Sequence, residues 1–392
     1  MAWELASFPR ELMGDVPPLD GVDVDVVQPD GAVRVTHVLD AVEPRIRPDG
    51  RSAFPTEGKA GEGRTNRLDG VVVLSCLDFL AEERPLHEQD SVVDLARPAG
   101  ELAPFAGMTA VVLTFRPDPG AGNEATESFA RRTTLQVAEE LARPTLAAEP
   151  FELERFELPE VEELPRIAAV VQLSDLGPLY YQYVYGVPAG QAGLPRLVDP
   201  AELLDGAITC GEYHWASIRN PTLFHQRNAL VQGLYREHGQ RLSFAGLALA
   251  RGYEQTAEDK QRAAEATARL VAGLEAEGAI VTTDGGGNSH TDSMLTVRAL
   301  ERAGIRTTVI VAEQNDPAST EPALVDWVPE ADCIVSTGNM EELVPAWTPD
   351  RVLGGDRLLD GRSAADAGEI QVQDYLGVAN QMGQLDLSVR TW

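Results

Sequence analysis

The stretch Arg166-Ile167-Ala168-Ala169-Val170-Val171-Gln172-Leu173 is apolar along nearly its whole length. A strand of this kind is buried on both faces, because its side chains alternate from one face to the other. Strands and helices alternate after it. We read a strand near Gly206–Thr209, a helix from about Pro221 to His238, strand Leu242–Ala250 and helix Thr256–Glu275. Strand Ala279–Thr282, helix Thr291–Ala303, strand Arg306–Ala312 and strand Asp332–Ser336 follow. Strands separated by helices of this length predict right-handed crossovers, and so an α/β fold with a doubly wound, mostly parallel sheet. Upstream the texture differs. Residues 1–65 are rich in Pro, Gly and Asp, with one alternating strand at Ala32–Val38 and an extended loop from Asp49 to Arg67. Strands Gly70–Cys76 and Met108–Phe115 come next, then a helix over Glu124–Leu141 that Asn123 is placed to cap. The acidic, Pro-punctuated segment Glu149–Pro165 reads as a linker. Two domains are expected: a β-rich N-terminal domain over 1–160 and a Rossmann-like α/β domain over 161–392.

Charge narrows the partners. Thirty-two Lys+Arg against 62 Asp+Glu give a net charge of −30, which repels phosphate backbones and anionic lipid. Nucleic acid and membrane surfaces are therefore excluded as partners. Lys59 and Lys260 are the only lysines, which removes most candidates for a Schiff base. Cys76, Cys210 and Cys333 lie far apart with no CxxC pair, so neither a disulfide framework nor a local dithiol is expected. The start Met1-Ala2-Trp3-Glu4 has no basic region ahead of an apolar run, which predicts a cytoplasmic protein.

In parallel sheets the ligand site lies beyond the carboxyl ends of the strands. That rule selects the loops Thr209–His214, Asp284–Asp292 and Thr337–Asn339. The second is glycine-rich and leads into a helix, but it has neither GxGxxG nor GxxxxGK spacing. Asp284, Gly286, Asn288, Asp292, Thr337 and Asn339 are candidates to bind substrate; the plainer alternative is a pair of tight turns with helix caps. The first loop carries the reactive groups. If it is extended, Cys210, Glu212 and His214 project to one side and offer a nucleophile with its base. The same region suits a transition metal held by Glu212, His214, His225 and His290. The plainer alternative makes Cys210 a small core residue and leaves the histidines to local hydrogen bonds. Cys76 and Cys333 read as core residues, and His37, His87 and His238 show no partner.

Several stretches together resemble a known family. They are Gly63-Arg64-Thr65-Asn66-Arg67-Leu68-Asp69-Gly70-Val71, Leu204-Asp205-Gly206-Ala207-Ile208, and His225-Gln226 with Leu234-Tyr235. The Asp284–Asp292 loop, Ser336-Thr337-Gly338-Asn339 and Asp350-Arg351-Val352-Leu353-Gly354 complete the set. In this order and spacing the chain resembles the component B proprotein (alpha and beta subunits) of glycine, sarcosine and betaine reductases and, more distantly, the D-proline reductase proprotein. The resemblance implies an oxidoreductase component that binds a small amine or amino acid and works only with a thiol- or selenol-bearing subunit, which displaces the amine. It also implies a pyruvoyl group, made when the proprotein cleaves itself before a cysteine. Without gaps between Asp205-Gly206-Ala207-Ile208 and His225-Gln226, the glycine-reductase cleavage cysteine falls on Tyr213. The nearest cysteine, Cys210, lies three residues earlier, although Thr209-Cys210 resembles the D-proline reductase junction. A pyruvoyl at Cys210 is one outcome; the departure in register predicts the other, an intact chain that keeps the Cys210 thiol. Three functions stay open: a substrate-activating component of a C–N cleaving reductase, a metal-dependent enzyme on the same scaffold, and a non-catalytic partner subunit.

Overall fold

Valine and aspartate alternate along Leu19–Val27 and make β1, a strand that the sequence reading passed over. The computed structural model describes residues 19–49, 52, 54, 60–78, 90–118, 123–175, 182–210, 220–314, 324–366 and 368–379. After β1 come β2 (Val33–Val35), β3 (Val38–Val42), β4 (Arg45–Ile46), β5 (Asn66–Arg67), β6 (Val71–Leu77), β7 (Val93–Asp94), β8 (Thr109–Pro117) and α1 (Asn123–Ala142). The next elements are β9 (Arg166–Ser174), β10 (Gln182–Val184), β11 (Val187–Pro188), β12 (Arg196–Val198), α2 (Pro200–Leu204), β13 (Ile208–Cys210), α3 (Thr222–Gln226) and α4 (Ala229–Glu237). Then follow β14 (Ser243–Gly252), α5 (Ala257–Gly273), β15 (Gly278–Thr282), α6 (Asn288–Arg302), β16 (Arg306–Glu313) and β17 (Ile334–Asn339). The C-terminal strands are β18 (Leu343–Pro345), β19 (Arg351–Leu353) and β20 (Glu369–Gln371).

The larger sheet has the order β12-β14-β9-β15-β16-β17, parallel except for β12 on its edge. Period-two alternation supplies both of its faces. Ala168 and Val170 of β9 join Ala248 and Ala250 of β14 beneath Ala268 and Val271 of α5 and Met294, Val297 and Leu300 of α6. Ala169, Val171 and Leu173 face the other way, onto Leu203 and Leu204 of α2 and Val231 and Leu234 of α4. We propose to class this arrangement as doubly wound, since helices cover both faces. Parallel strands in this order leave a crevice between β9 and β15, where successive connections depart to opposite sides.

The second sheet, β1-β8-β6-β3, is mixed. Phe129, Ala130 and Ala138 of α1 cover one face through Val73, Leu113 and Phe115. The other face takes Leu223 and Phe224 of α3 and Leu376 from the C-terminal segment. β19 also pairs in parallel with β2. The segment 343–379, grouped by the sequence reading with the α/β part, thus pairs with N-terminal strands.

Several boundaries move for local reasons. Ala32–Val38 is interrupted at Thr36-His37, where His37 is left-handed (φ 53°), so β2 and β3 belong to different sheets. The predicted helix over 221–238 is two helices, because Asn228 accepts from the Val231 N–H at 2.9 Å and begins a new one. α6 starts at Asn288 rather than Thr291. β17 runs on to Asn339, so Thr337–Asn339 is strand and not the turn after one. Cys76 is core as expected, but Cys333 is exposed, just before the edge strand β17. The acidic segment expected to be a linker is anchored: Phe156 meets the Tyr235 ring edge-on at 5.2 Å, and Leu158 packs against the same cluster.

One buried ion pair clamps β2, β7 and the C-terminal segment. Arg34 Nε and Nη2 meet Asp94 Oδ1 and Oδ2 at 2.7 and 2.9 Å, and the same guanidinium donates to the carbonyls of Ala364 and Trp347. Both side chains are fully buried. Removing one partner strands the other charge away from water. Asp94→Ala should therefore lower the unfolding free energy by about 3–5 kcal/mol in urea titrations.

Candidate functional site

Three elements meet at the Thr209–Cys210 peptide. Cys210 ends β13, and in the antiparallel ladder Tyr183 stands opposite Thr209 and Gln182 opposite Cys210. The first N–H groups of a helix lack intrahelical partners. At α3 the Thr222 N–H is taken from outside, by Asp40 Oδ1 of β3 at 2.9 Å. Asp40 Oδ2 accepts from the Thr222 hydroxyl at 2.6 Å, and Thr222 Oγ1 in turn accepts from the Cys210 N–H at 2.8 Å. An unbroken line of hydrogen bonds thus joins the N-terminal sheet to the reactive strand through α3. Every member is buried.

α3 turns His225 toward this line. His225 Nε2 lies 3.3 Å from Gln182 Nε2. The amide N–H donates there, so the neutral ring accepts on Nε2 and carries its proton on Nδ1. Burial alone pushes the His225 pKa down to about 3, which keeps the ring neutral. His225 Nδ1, Gln182 Oε1 and Thr209 Oγ1 are buried with no hydrogen-bond partner among the described residues, and so is Arg131 Nε of α1. The Arg131 guanidinium sits 3.8 Å above the Tyr183 ring. Four unsatisfied atoms around one short strand pair are conspicuous, since buried polar groups are nearly always bonded.

The loops selected from sequence are largely structural. Asp284 is buried between strands: Oδ1 accepts from Asn220 Nδ2 at 2.8 Å, Oδ2 from the Ser174 N–H at 3.3 Å, and its own N–H donates to Gln172 Oε1 at 3.0 Å. This network lies at the carboxyl ends of β9 and β15. Gly286 is buried and its carbonyl accepts from the Ser289 N–H; Gly287, at φ 56°, lets the chain turn into α6. Asn288 donates to the Glu254 carbonyl, and Asp292 pairs with Lys260 at 2.8 Å. Thr337 Oγ1 donates to the Val311 carbonyl, and Asn339 Oδ1 accepts from the Glu341 N–H. Each of these groups already has an internal partner. His290 Nε2 is the exception, buried without one among the described residues.

Glu212 and His214, the proposed base and metal ligands, lie outside the described residues. His225 and His290 are described, but among the described residues no group of three His, Cys, Asp or Glu side chains converges to hold an ion. No described helix is long and apolar enough to cross a membrane. A cleft of about 640 Å³ opens on the other side of α3, lined by Arg64, Arg67, Asp69, Glu154, Asp205 and Gln226. Arg45, which also lines it, belongs to a charged knot in which Glu43, fully buried, binds Arg45 and Arg227. Burial works to raise the Glu43 carboxyl, but Arg45, Arg227 and Arg67 outweigh it and hold the pKa below its ordinary value. The cleft contains Gly63–Asp69, most of one of the stretches that carry the resemblance. It does not reach Cys210, so its size alone does not make it the reaction site.

Asp40, Thr222, Gln182 and Arg131 were missed by sequence reasoning. Asp40 had a signal, an acidic residue inside the apolar run Val38-Leu39-Asp40-Ala41-Val42. Gln182 and Arg131 had none.

The family profile for glycine/sarcosine/betaine reductase component B subunits matches residues 10–384. The chain belongs to this family. The sarcosine reductase complex component B subunit alpha of Peptoclostridium acidaminophilum is 30% identical over 386 residues, covering 95% of this chain and 86% of that one. The betaine reductase complex component B subunit alpha of the same organism is 31% identical over 370 residues, 88% of this chain and 81% of its own length. The D-proline reductase proprotein PrdA of Acetoanaerobium sticklandii is more distant, 23% identical over 304 residues, 69% of this chain and 44% of PrdA. No solved structure matches the chain.

Cys210 is the cysteine at which the resemblance would place a pyruvoyl group. Making it requires the sulfur to reach the Thr209 carbonyl carbon across a bent peptide. Here Thr209 and Cys210 continue the ladder opposite Tyr183 and Gln182, and the Cys210 N–H is held by Thr222. Gly211, which would let this peptide bend, and Glu212 and His214, which would serve as base for the thiol, lie outside the described residues.

The buried histidines set a pH dependence. The His225 pKa is about 3 and the His290 pKa about 4, burial being the main cause for both, against 6.5 for an ordinary histidine. Between these values the unfolded chain binds more protons than the folded one. The stabilisation is complete above pH 6.5 and is lost as pH falls. Urea titrations should show stability decreasing below pH 6.5, by up to about 1.4 kcal/mol per pH unit for each histidine. His225→Gln should flatten that slope between pH 6.5 and 5.5; an unchanged slope would show that His225 is not held neutral.

Proposed function

We propose that this chain is the substrate-binding and activating component of a reductive complex that cleaves C–N bonds in glycine-, sarcosine- or betaine-like amines. Membership of the component B family, along nearly the whole chain, supports its place in such a complex. The observation that carries the reading is the Thr209–Cys210 peptide, set among unsatisfied buried polar atoms and tied to the N-terminal sheet by Asp40 and Thr222. Groups of this kind are what a small polar ligand would satisfy. In this reading the chain binds and orients the amine, and the electron-rich sulfur or selenium comes from a partner subunit. That atom forms a bond to the substrate carbon as the C–N bond breaks, and the nitrogen leaves as the amine. Cys210 stays in the chain as a thiol beside the substrate.

Two outcomes follow. The purified chain with a generic electron donor should release no amine, and adding a thiol- or selenol-bearing partner subunit should restore turnover. Amine assays with and without the partner measure this, and brisk turnover by the single chain would remove the partner from the scheme. Intact-protein mass spectrometry should give one species with the mass of all 392 residues. Two fragments meeting at Thr209/Cys210, abolished by Cys210→Ala, would instead establish self-cleavage.

A further inference from the structure

Among the described residues the buried arginines are matched with carboxylates, and so is the half-buried Arg227. Arg34 pairs with Asp94, Arg45 with Glu43, Arg47 with Asp205, and Arg227 with Glu43 and Asp69. Arg131 is half-buried and has no carboxylate within ion-pair distance among the described residues, although burial is strong enough to pull its pKa below the ordinary arginine value. Asp40, the acidic residue whose charge it feels, already accepts from Thr222 N, Thr222 Oγ1 and the Ala41 N–H. The Arg131 guanidinium carbon lies 3.8 Å from the centre of the Tyr183 ring, and the Tyr183 side chain also hydrogen-bonds the guanidinium, while Nε is buried and unbonded among the described residues.

The second unsatisfied group on this face is Thr209 Oγ1, which is 5% exposed. Thr209 stands directly opposite Tyr183, which puts their Cβ atoms on one face about 5 Å apart. A guanidinium N–H can only donate, and a hydroxyl can donate as well. A ligand that satisfies both is an acceptor, and one that also balances the charge is an anion. Planar, two-oxygen carboxylates match the guanidinium fork best. On a chain with a net charge of −30, an anion needs such a local cation to bind at all.

We propose that Arg131 and Thr209 form a carboxylate-binding subsite next to Cys210, which holds the carboxylate end of the substrate. The proposal rests on the reading above that the substrate is an amino-acid-type amine. A glycine-type molecule has one carbon between its carboxylate and its nitrogen. Anchoring the carboxylate at Thr209 therefore leaves the C–N bond beside the Thr209–Cys210 peptide. Arg131 comes from α1 and Thr209 from β13, so the subsite also spans the two sheets that Asp40 and Thr222 join.

The test is isothermal titration of the full chain with glycine, sarcosine, betaine, acetate, ethanolamine and inorganic phosphate. Saturable binding of the amino-acid carboxylates and none of ethanolamine is expected. R131Q should weaken carboxylate binding by about tenfold to a hundredfold, as for loss of a hydrogen bond to a charged group. T209V, which keeps the side-chain shape, should weaken it by roughly threefold to tenfold. Thermal melts followed by circular dichroism establish that each variant is folded; if R131Q is not, the T209V titration decides. Unchanged carboxylate affinity in a folded R131Q, or in T209V when R131Q does not fold, overturns the subsite. So does a wild-type chain that binds no carboxylate, or one in which R131Q abolishes phosphate binding alone. Acetate that binds as tightly as glycine and is lost in R131Q keeps the subsite but removes the amino-acid reading. Glycine binding that is unaffected in R131Q removes the subsite and keeps that reading.

Discussion

Asp40 is a buried carboxylate in the middle of an apolar strand, and the arrangement around Cys210 depends on it. Its two oxygens take the Thr222 amide and hydroxyl and the Ala41 amide, so its desolvation is offset by directed bonds. α3 is only five residues long and could not hold itself in place. It is held by Asp40 at its first turn and by the burial of Leu223 and Phe224 in the N-terminal core. Fixing α3 fixes two side chains at once. His225 faces Gln182 and the reactive strand, while the Gln226 amide bonds Glu43 on the side of the charged cleft.

The polar interior falls into two kinds of site. At the carboxyl ends of β9 and β15, and around Arg34 and Glu43, each donor meets an acceptor supplied by the chain itself. Such networks rigidify and specify a fold. Around β10 and β13 the matching is incomplete: His225 Nδ1, Gln182 Oε1, Thr209 Oγ1 and Arg131 Nε are left over. Each such group lowers stability unless something outside the chain meets it. Elsewhere among the described residues Ser75 Oγ, Ser91 Oγ, Arg251 Nε and His290 Nε2 are also left over, but singly rather than grouped about one strand pair.

Legibility in the sequence followed the range of the interaction. β9, β14, β15 and β16, and the helices α5 and α6, were readable because period and composition are local properties of a segment. The broken strand at His37 and the new helix at Asn228 were not, since each depends on one residue's backbone conformation or cap. At the candidate site, Cys210 and His225 were noticed for their chemistry. Asp284, Asn288 and Asp292 were noticed too, as polar residues in a glycine-rich loop, but their partners Asn220, Glu254 and Lys260 lie 64, 34 and 32 residues away along the chain. Only those contacts show that they brace the loop.

The sequence by itself determined the alternation of strands and helices, the strongly acidic surface, and the family to which the motifs belong. These are set by residue type and by spacing over a few turns or strands. The tertiary structure alone decided which polar side chains are satisfied. Arg131 and Thr209 are 78 positions apart and are linked only through Tyr183, which lies across the ladder from one and beneath the other. Whether a buried donor has an acceptor depends on what three separate elements bring to the same point in space, and no local pattern encodes that.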